Sequence, residues 1–240
     1  MSQEMDVNAL KAESWRMFDE ISPRYDFLNS ILSFGCHSYF RRKMVDFLLP
    51  QSDQMVLDLA TGTGDVLITL FTHSKKIIQG VGIDMAEKMI FIGRKKIEKR
   101  GLSDQVVLQT GDIRNISFMH RMFDLITLAF GIRNVPEPDQ VLKEMYRVLK
   151  HGGRALVLEF SLPKNALIRK GHLFYLRTFV PFVGALFSGN HQAYRYLSQT
   201  IERFPSGEDF CRMMTNAGFQ KVTAHPLLKG IATIYQGDKS

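Results

Sequence analysis

Cysteine is scarce: the 240-residue chain has only Cys36 and Cys211, too few and too far apart for a disulfide framework or a zinc site. A reducing compartment and no metal are therefore expected. Internal repeats, low-complexity tracts and Ser/Pro-rich linkers are also missing, and the length suits one large domain with an elaborated cap rather than two domains. Met1–Lys11 carries Glu4 and Asp6 and has neither a basic start nor an apolar run, so a signal peptide is not expected and a cytoplasmic location is. The aromatic stretch Leu173–Phe187 is broken by Arg177 and Pro181 and falls short of the roughly 20 apolar residues that cross a bilayer. With 45 % hydrophobic and 23 % charged residues, disorder, collagen and coiled coils are excluded.

What the chain does have is basic charge and a strand–helix alternation. The formal net charge of +7 fits a nucleic-acid protein, an anionic membrane surface or an ordinary basic enzyme, and alone decides nothing. The run Arg94, Lys95, Lys96, Lys99 and Arg100 reads as a solvated helix face. Short apolar runs at Met55–Leu59, Ile77–Ile83, Gln105–Leu108, Leu125–Phe130 and Arg154–Phe160 read as buried strands with helices between most of them. The helix over 84–100 carries Met85, Met89, Gly93 and Ile97 at spacings of four. The next opens at Pro136 and Pro138, shows Val141, Leu142, Met145, Val148 and Leu149 on one face, and is expected to end at His151-Gly152-Gly153. A last helix ends at Gly218, and Gln220–His225 with Ile231–Gln236 reads as a closing antiparallel pair. The fold class is thus α/β: a doubly wound, seven-stranded, mostly parallel, Rossmann-like sheet. About residues 1–50 and 161–205 lie outside the alternation, aromatic, basic and helical, and are assigned to the cap.

In such sheets ligands bind beyond the carboxyl ends of the strands. The first strand runs into Asp58-Leu59-Ala60-Thr61-Gly62-Thr63-Gly64-Asp65, where Gly62 and Gly64 let a ligand touch backbone. Leu67 stands where a dinucleotide fingerprint needs its third small residue, and Asp58 and Asp65 would repel a pyrophosphate. The two carboxylates suit a ligand carrying an ammonium and a sulfonium, which S-adenosyl-L-methionine (SAM) is. Asp84, followed by Met85, ends the second strand where a carboxylate can hold both ribose hydroxyls, and Gly111-Asp112 ends the third, placed to read the adenine amino group. The ordered set, with the late Gly152-Gly153, falls at class I methyltransferase spacings.

The resemblance then becomes specific and covers nearly the whole chain. Residues 17–29, 56–65, 129–135, 144–150, 158–161 and 193–197 resemble the quinone C-methyltransferases of menaquinone and ubiquinone biosynthesis, the demethylmenaquinone methyltransferase family. His151 replaces the proline usual before Gly152, residues 111–118 lack the acidic and Leu-Pro pattern usual after the third strand, and Ala129 stands where some members have serine, so a cofactor contact there is to backbone. The resemblance implies methyl transfer from SAM to a ring carbon of a reduced, prenylated quinone, with demethylmenaquinol first and the ubiquinone precursor ring, another lipid or RNA as alternatives. It implies that Arg133 stabilises a phenolate and holds a water that accepts the proton, the competing reading being an ion pair with Glu159 or Asp65. Asn134 would bond the second quinol oxygen or the strand turn, Tyr25 and Tyr194 would close over the ring, and His37 and His191 are candidate proton acceptors. Leu173–Phe187 fits a wall for the prenyl tail, with Lys164, Arg169, Lys170 and Arg177 meeting lipid headgroups at a peripheral membrane contact. Nucleic acid is rejected as partner, since the fourth strand lacks the Asn/Asp-Pro-Pro-aromatic pocket of base N-methylation and neither Cys36 nor Cys211 lies after strand four or five as a nucleophile for pyrimidine carbon methylation would. The sequence fixes no oligomeric state.

Overall fold

The computed structural model describes residue 11 and residues 13–22, 30, 33, 35–182 and 191–240, apart from the side chains of residues 18, 21 and 191–195. Seven strands form one sheet: β1 (Gln54–Leu59), β2 (Ile77–Asp84), β3 (Val106–Thr110), β4 (Phe123–Ala129), β5 (Leu149–Phe160), β6 (Gln220–Leu227) and β7 (Ala232–Asp238). Their spatial order is β3-β2-β1-β4-β5-β7-β6, with β1 to β5 parallel and β7 antiparallel to both of its neighbours. Order reverses between β1 and β4, which opens a crevice above their carboxyl ends.

Successive strand residues go to opposite layers, as the two-residue side-chain period requires. Leu57, Ile126 and Val157 pack with Val141, Leu142 and Met145 of α5 (Pro138–Val148) and Phe210 and Met214 of α8 (Glu208–Asn216). Val56, Leu125 and Leu156 pack on the other face with Leu67 and Leu70 of α3 (Asp65–His73) and Ile90 and Ile97 of α4 (Glu87–Lys99). Full burial of each such side chain contributes about 1.5–3 kcal/mol, so both faces are strongly held.

Among the described residues four helices lie outside this alternation: α1 (Ser14–Ile21), α2 (Cys36–Lys43), α6 (Ala166–Phe174), which runs on through a π-helical turn at Tyr175–Phe179, and α7 (His191–Arg203), which packs on that turn. Asn165 caps α6, accepting from the amides of Leu167 and Ile168. Among the described residues no helix is long and apolar enough to cross a membrane.

Two expectations need correction. The helix expected to run to His151 stops at Val148, and Leu149 already pairs with Phe123 in the sheet; a fully buried leucine fits a helix face and a strand equally well. Gly152 (φ +74°) instead serves a bulge over 150–153, where the β4–β5 register shifts. Nor is the basic run of α4 wholly a solvated face: Arg94 donates to the Leu108 carbonyl at 2.8 and 3.1 Å, and Lys96 reaches back to the first strand's loop.

Candidate active site

The crevice holds two cavities with a common wall. Ala60, Gly62, Ala129 and Phe130, from the ends of β1 and β4, line both. The smaller, about 110 Å³, continues over Asp84, Met85, Asp112, Ile113, Asn134 and, from α1, Ser14 and Trp15. The larger, about 390 Å³, is mainly apolar: Phe40, Phe160, Ile168, Tyr175, Leu176 and Val180 are among its walls, with Thr63, Cys36, His37, Arg41, Arg133 and His172 as polar members.

The shared wall is built from backbone that few side chains adopt. Ala60 (φ 49°) and Phe130 (φ 57°) both sit in the left-handed region although neither is glycine, and such conformations cluster at functional sites. Gly62 (φ 54°) and Gly64 (φ 77°) continue the turn after β1, and the space a Cβ would occupy at Gly62 is open. The Thr61 amide donates to the Ile83 carbonyl at 3.0 Å, which ties the turn to the end of β2.

Asp84 forms the hinge of the smaller cavity. One carboxylate oxygen accepts the Gly62 amide at 2.8 Å and the other the Ala86 amide at 2.9 Å. Burial pushes this carboxyl up in pKa, and the amides of Ala86 and Gly62 oppose the shift. The loop geometry, Asp84 with remaining acceptor capacity, and the flanking Met85 and Ile113 fit the ribose and purine of SAM. Asp112 lines the same cavity, but Arg114 clasps it through Nε at 3.0 Å and Nη2 at 2.7 Å. Partial burial raises its carboxyl, yet Arg114 holds it below the ordinary value. Gly111 stands behind this wall, where a Cβ would come within 2.9 Å of Ile83.

Of the two carboxylates that bracket the loop, Asp58 reaches neither cavity, and Asp65 lines the larger one already paired with cations. Asp58 is fully buried and lines neither cavity; it accepts Thr61 Oγ1 at 2.6 Å and Thr127 Oγ1 at 2.7 Å, holding the loop from behind. Desolvation pushes its pKa up to about 7 against the pull of those two hydroxyls. Asp65 is held by Arg41 of α2 at 3.2 Å and by Lys96 of α4, and Lys96 also donates to Thr63 at 3.0 Å. The local cations were legible as charge, but only the packing of α2 and α4 brought them to this loop.

The consecutive residues Arg133 and Asn134 serve different cavities. Arg133 lines the larger one; its Nη1 donates to Glu159 at 2.7 Å and to the Phe130 carbonyl, while its buried Nε has no hydrogen-bond partner among the described residues. Asn134 lines the smaller one, with its Oδ1 likewise unpartnered. Tyr25 and the side chains of Tyr194 and His191 lie outside the described residues. Sequence reasoning missed Trp15 and the aromatic wall in which the Phe130 ring lies 4.4 Å from Phe160 and 6.3 Å from Phe40. The only available signal was a phenylalanine closing each of the β4 and β5 apolar runs.

A family model described as the ubiE/COQ5 methyltransferase family matches residues 5–239. The chain belongs to this family. It is 42 % identical to a ubiquinone/menaquinone biosynthesis C-methyltransferase of Geotalea daltonii, covering 93 % of this chain and 94 % of that one. It is 43 % identical to a demethylmenaquinone methyltransferase of Thermus thermophilus, covering 93 % and 100 %. The fold resembles that of a SAM-dependent methyltransferase from Thermotoga maritima, with a TM-score of 0.64 at 21 % identity over 94 % of this chain and 99 % of that one. As a member of the ubiE/COQ5 methyltransferase family, the chain is a SAM-dependent methyltransferase of class I architecture.

Proposed function

We propose that this methyltransferase acts on a ring carbon of a reduced, prenylated quinone, converting a demethylmenaquinol to the menaquinol. The observation that carries the reading is the common wall: an apolar cavity large enough for an aromatic ring and part of a tail meets the SAM-side cavity at Ala60, Gly62, Ala129 and Phe130. The names of the Geotalea and Thermus relatives favour the same substrate class.

When bound, SAM supplies an electrophilic methyl on a sulfonium centre. Carbon is a poor nucleophile, and the quinol ring becomes a good one when a hydroxyl of pKa about 10 is ionised. Arg133 stabilises that phenolate. Its Nη1 is committed to Glu159 and Phe130, but its unpartnered Nε–H is a buried donor whose unmade bond costs about 1–3 kcal/mol until a substrate oxygen meets it. Asn134 offers its acceptor on the SAM side of the wall. The Phe40, Phe130 and Phe160 rings hold the quinol plane in line with the methyl, and orientation can lower such a barrier by up to about 7–11 kcal/mol. Tyr25 and Tyr194 are proposed to close over the ring from the cap segments 1–50 and 161–205. Leu167, Phe174 and Phe182, which are 80, 69 and 66 % exposed, meet the bilayer from which the tail arrives, and Lys164, Arg169 and Lys170 meet its headgroups, while Arg177 is held by Glu202 at 2.6 Å.

Purified protein incubated anaerobically with methyl-labelled SAM and a panel of reduced quinones tests the reading. Label should enter demethylmenaquinol, and the benzoquinol ubiquinone precursor in the same panel separates the two substrates. Label in no quinol would sink the proposal.

A further inference from the structure

Resting on the quinol reading, we propose that His172 is the proton acceptor of the reaction: its neutral imidazole takes the hydroxyl proton of the quinol as the ring carbon attacks the methyl.

The argument begins with α6. Ile168, Gly171, His172 and Tyr175 fall at spacings of three and four, so one stripe of the helix lines the apolar cavity. The His172 ring stacks on Tyr175 (6.4 Å between centroids, 16° between planes), and its Nε2 is out of solvent contact with no hydrogen-bond partner among the described residues. A neutral imidazole carries one donor and one acceptor nitrogen, so an Nε2 unpartnered among the described residues, on a residue that lines the substrate cavity, offers a proton site that no described group has claimed.

The other described ionisable groups on this cavity are poorer acceptors. Arg41 of α2 and Arg133 after β4 are permanent cations. Asp65 of α3 is held by Arg41 and Lys96. Burial pushes the Tyr175 phenol up to about 12, so it keeps its proton. Both nitrogens of His37 lie within hydrogen-bond distance of hydroxyls, Ser33 at 2.7 Å and Ser38 at 3.3 Å, and Cys36 is a thiol beside Tyr175. Burial lowers the His172 pKa, and among the described residues no carboxylate on the cavity wall is left to hold an imidazolium, so the ring stands ready as a base at neutral pH.

The step balances. The quinol O–H proton goes to His172, the C–CH3 bond forms as the S–CH3 bond breaks, and the sulfonium becomes a neutral thioether. The ring carbon then loses its own hydrogen, the oxygen regains one, and the net proton leaves from His172 to solvent.

The test uses the full chain with SAM and a short-tailed demethylmenaquinol, comparing wild type with His172→Gln and His172→Asn between about pH 5 and 8. Wild-type turnover should fall at acid pH with a pKa below the ordinary histidine value of about 6.5. Both variants should lose about 100-fold or more in kcat, the scale of general-base catalysis, and should lose the acid limb, while SAM affinity is unchanged. Variants that bind SAM and retain wild-type kcat and pH profile overturn the assignment. Should neither variant fold, the wild type decides: no acid limb means no histidine base. A wild type that methylates no quinol condemns the quinol reading itself, which separates the two failures.

Discussion

Arg133 and Glu159 form an ion pair of 2.7 Å whose side chains are 5 and 1 % exposed. Asp65, the other partner conceivable from sequence, is occupied by Arg41 and Lys96, so among the described residues Glu159 is the carboxylate that anchors the guanidinium, beside the Phe130 carbonyl. Anchoring and the proposed catalytic role are compatible here because Nε–H has no partner among the described residues. Arg133→Lys keeps the charge and loses the planar fork; kcat should fall roughly 10- to 100-fold with SAM affinity kept, as measured by steady-state kinetics and calorimetry. Glu159→Leu leaves an uncompensated buried cation and should lower stability by about 3–5 kcal/mol in urea unfolding. Equal losses of turnover and SAM binding in Arg133→Lys would make the arginine purely structural.

Asp84→Ala removes the acceptor of two loop amides as well as the proposed ribose contact. SAM binding should weaken by about 1.5–3 kcal/mol for each hydrogen bond to the carboxylate that is lost, with the fold intact by circular dichroism. Unchanged affinity in calorimetry would take Asp84 out of the site.

The buried Asp58 makes stability depend on pH. Its native pKa of about 7 lies above the unfolded value of about 3.9, so the native state keeps a proton that the unfolded chain has released. Its contribution is therefore fully present below the unfolded pKa, declines as pH rises from about 4 to about 7, and is constant above. Asp58→Asn should flatten that decline, which urea midpoints at acid and neutral pH will reveal. A variant with the wild-type slope would contradict the assignment.

The two strand-end turns touch at Gly131, where a Cβ would lie 2.5 Å from that of Ala60, a contact real side chains do not make. Its φ of −109° suits any residue, so the demand for glycine is steric. Gly131→Ala should cost about 1–3 kcal/mol by overpacking. Adding Ala60→Gly, at a position with φ 49°, should recover much of that loss, and a thermal double-mutant cycle measures the coupling. Additive effects would show that the turns yield independently.

Membrane contact through α6 predicts that Leu167→Ser with Phe174→Ser weakens sedimentation with anionic vesicles, and that changing Arg169 and Lys170 to Gln weakens it by about 1 kcal/mol per charge at most. Turnover of a short-tailed quinol should survive both. Retention of RNA with a steep salt slope, and no affinity for vesicles, would favour the rejected nucleic-acid partner.

The sequence by itself determined the sheet and where to look on it. Buried parallel strands must be continuous apolar runs, and a glycine turn after the first of them marks the crevice, so β1 to β5, the Gly62–Gly64 turn and Asp84 were legible from local pattern. Tertiary structure decided how those charges are partnered and which of them line a cavity. Asp58 and Asp65 read alike as acids beside a glycine loop, yet one is buried under two threonines and the other is held between α2 and α4. It also ended α5 at Val148, because Leu149 gains a sheet partner in Phe123 that no helical periodicity records, and it set Arg133 and Asn134 in the walls of separate cavities. Local sequence fixes which atoms a residue owns and the period on which it repeats; which of those atoms are left without a partner among the described residues, as at Arg133 Nε and His172 Nε2, depends on elements far apart in the chain meeting in space.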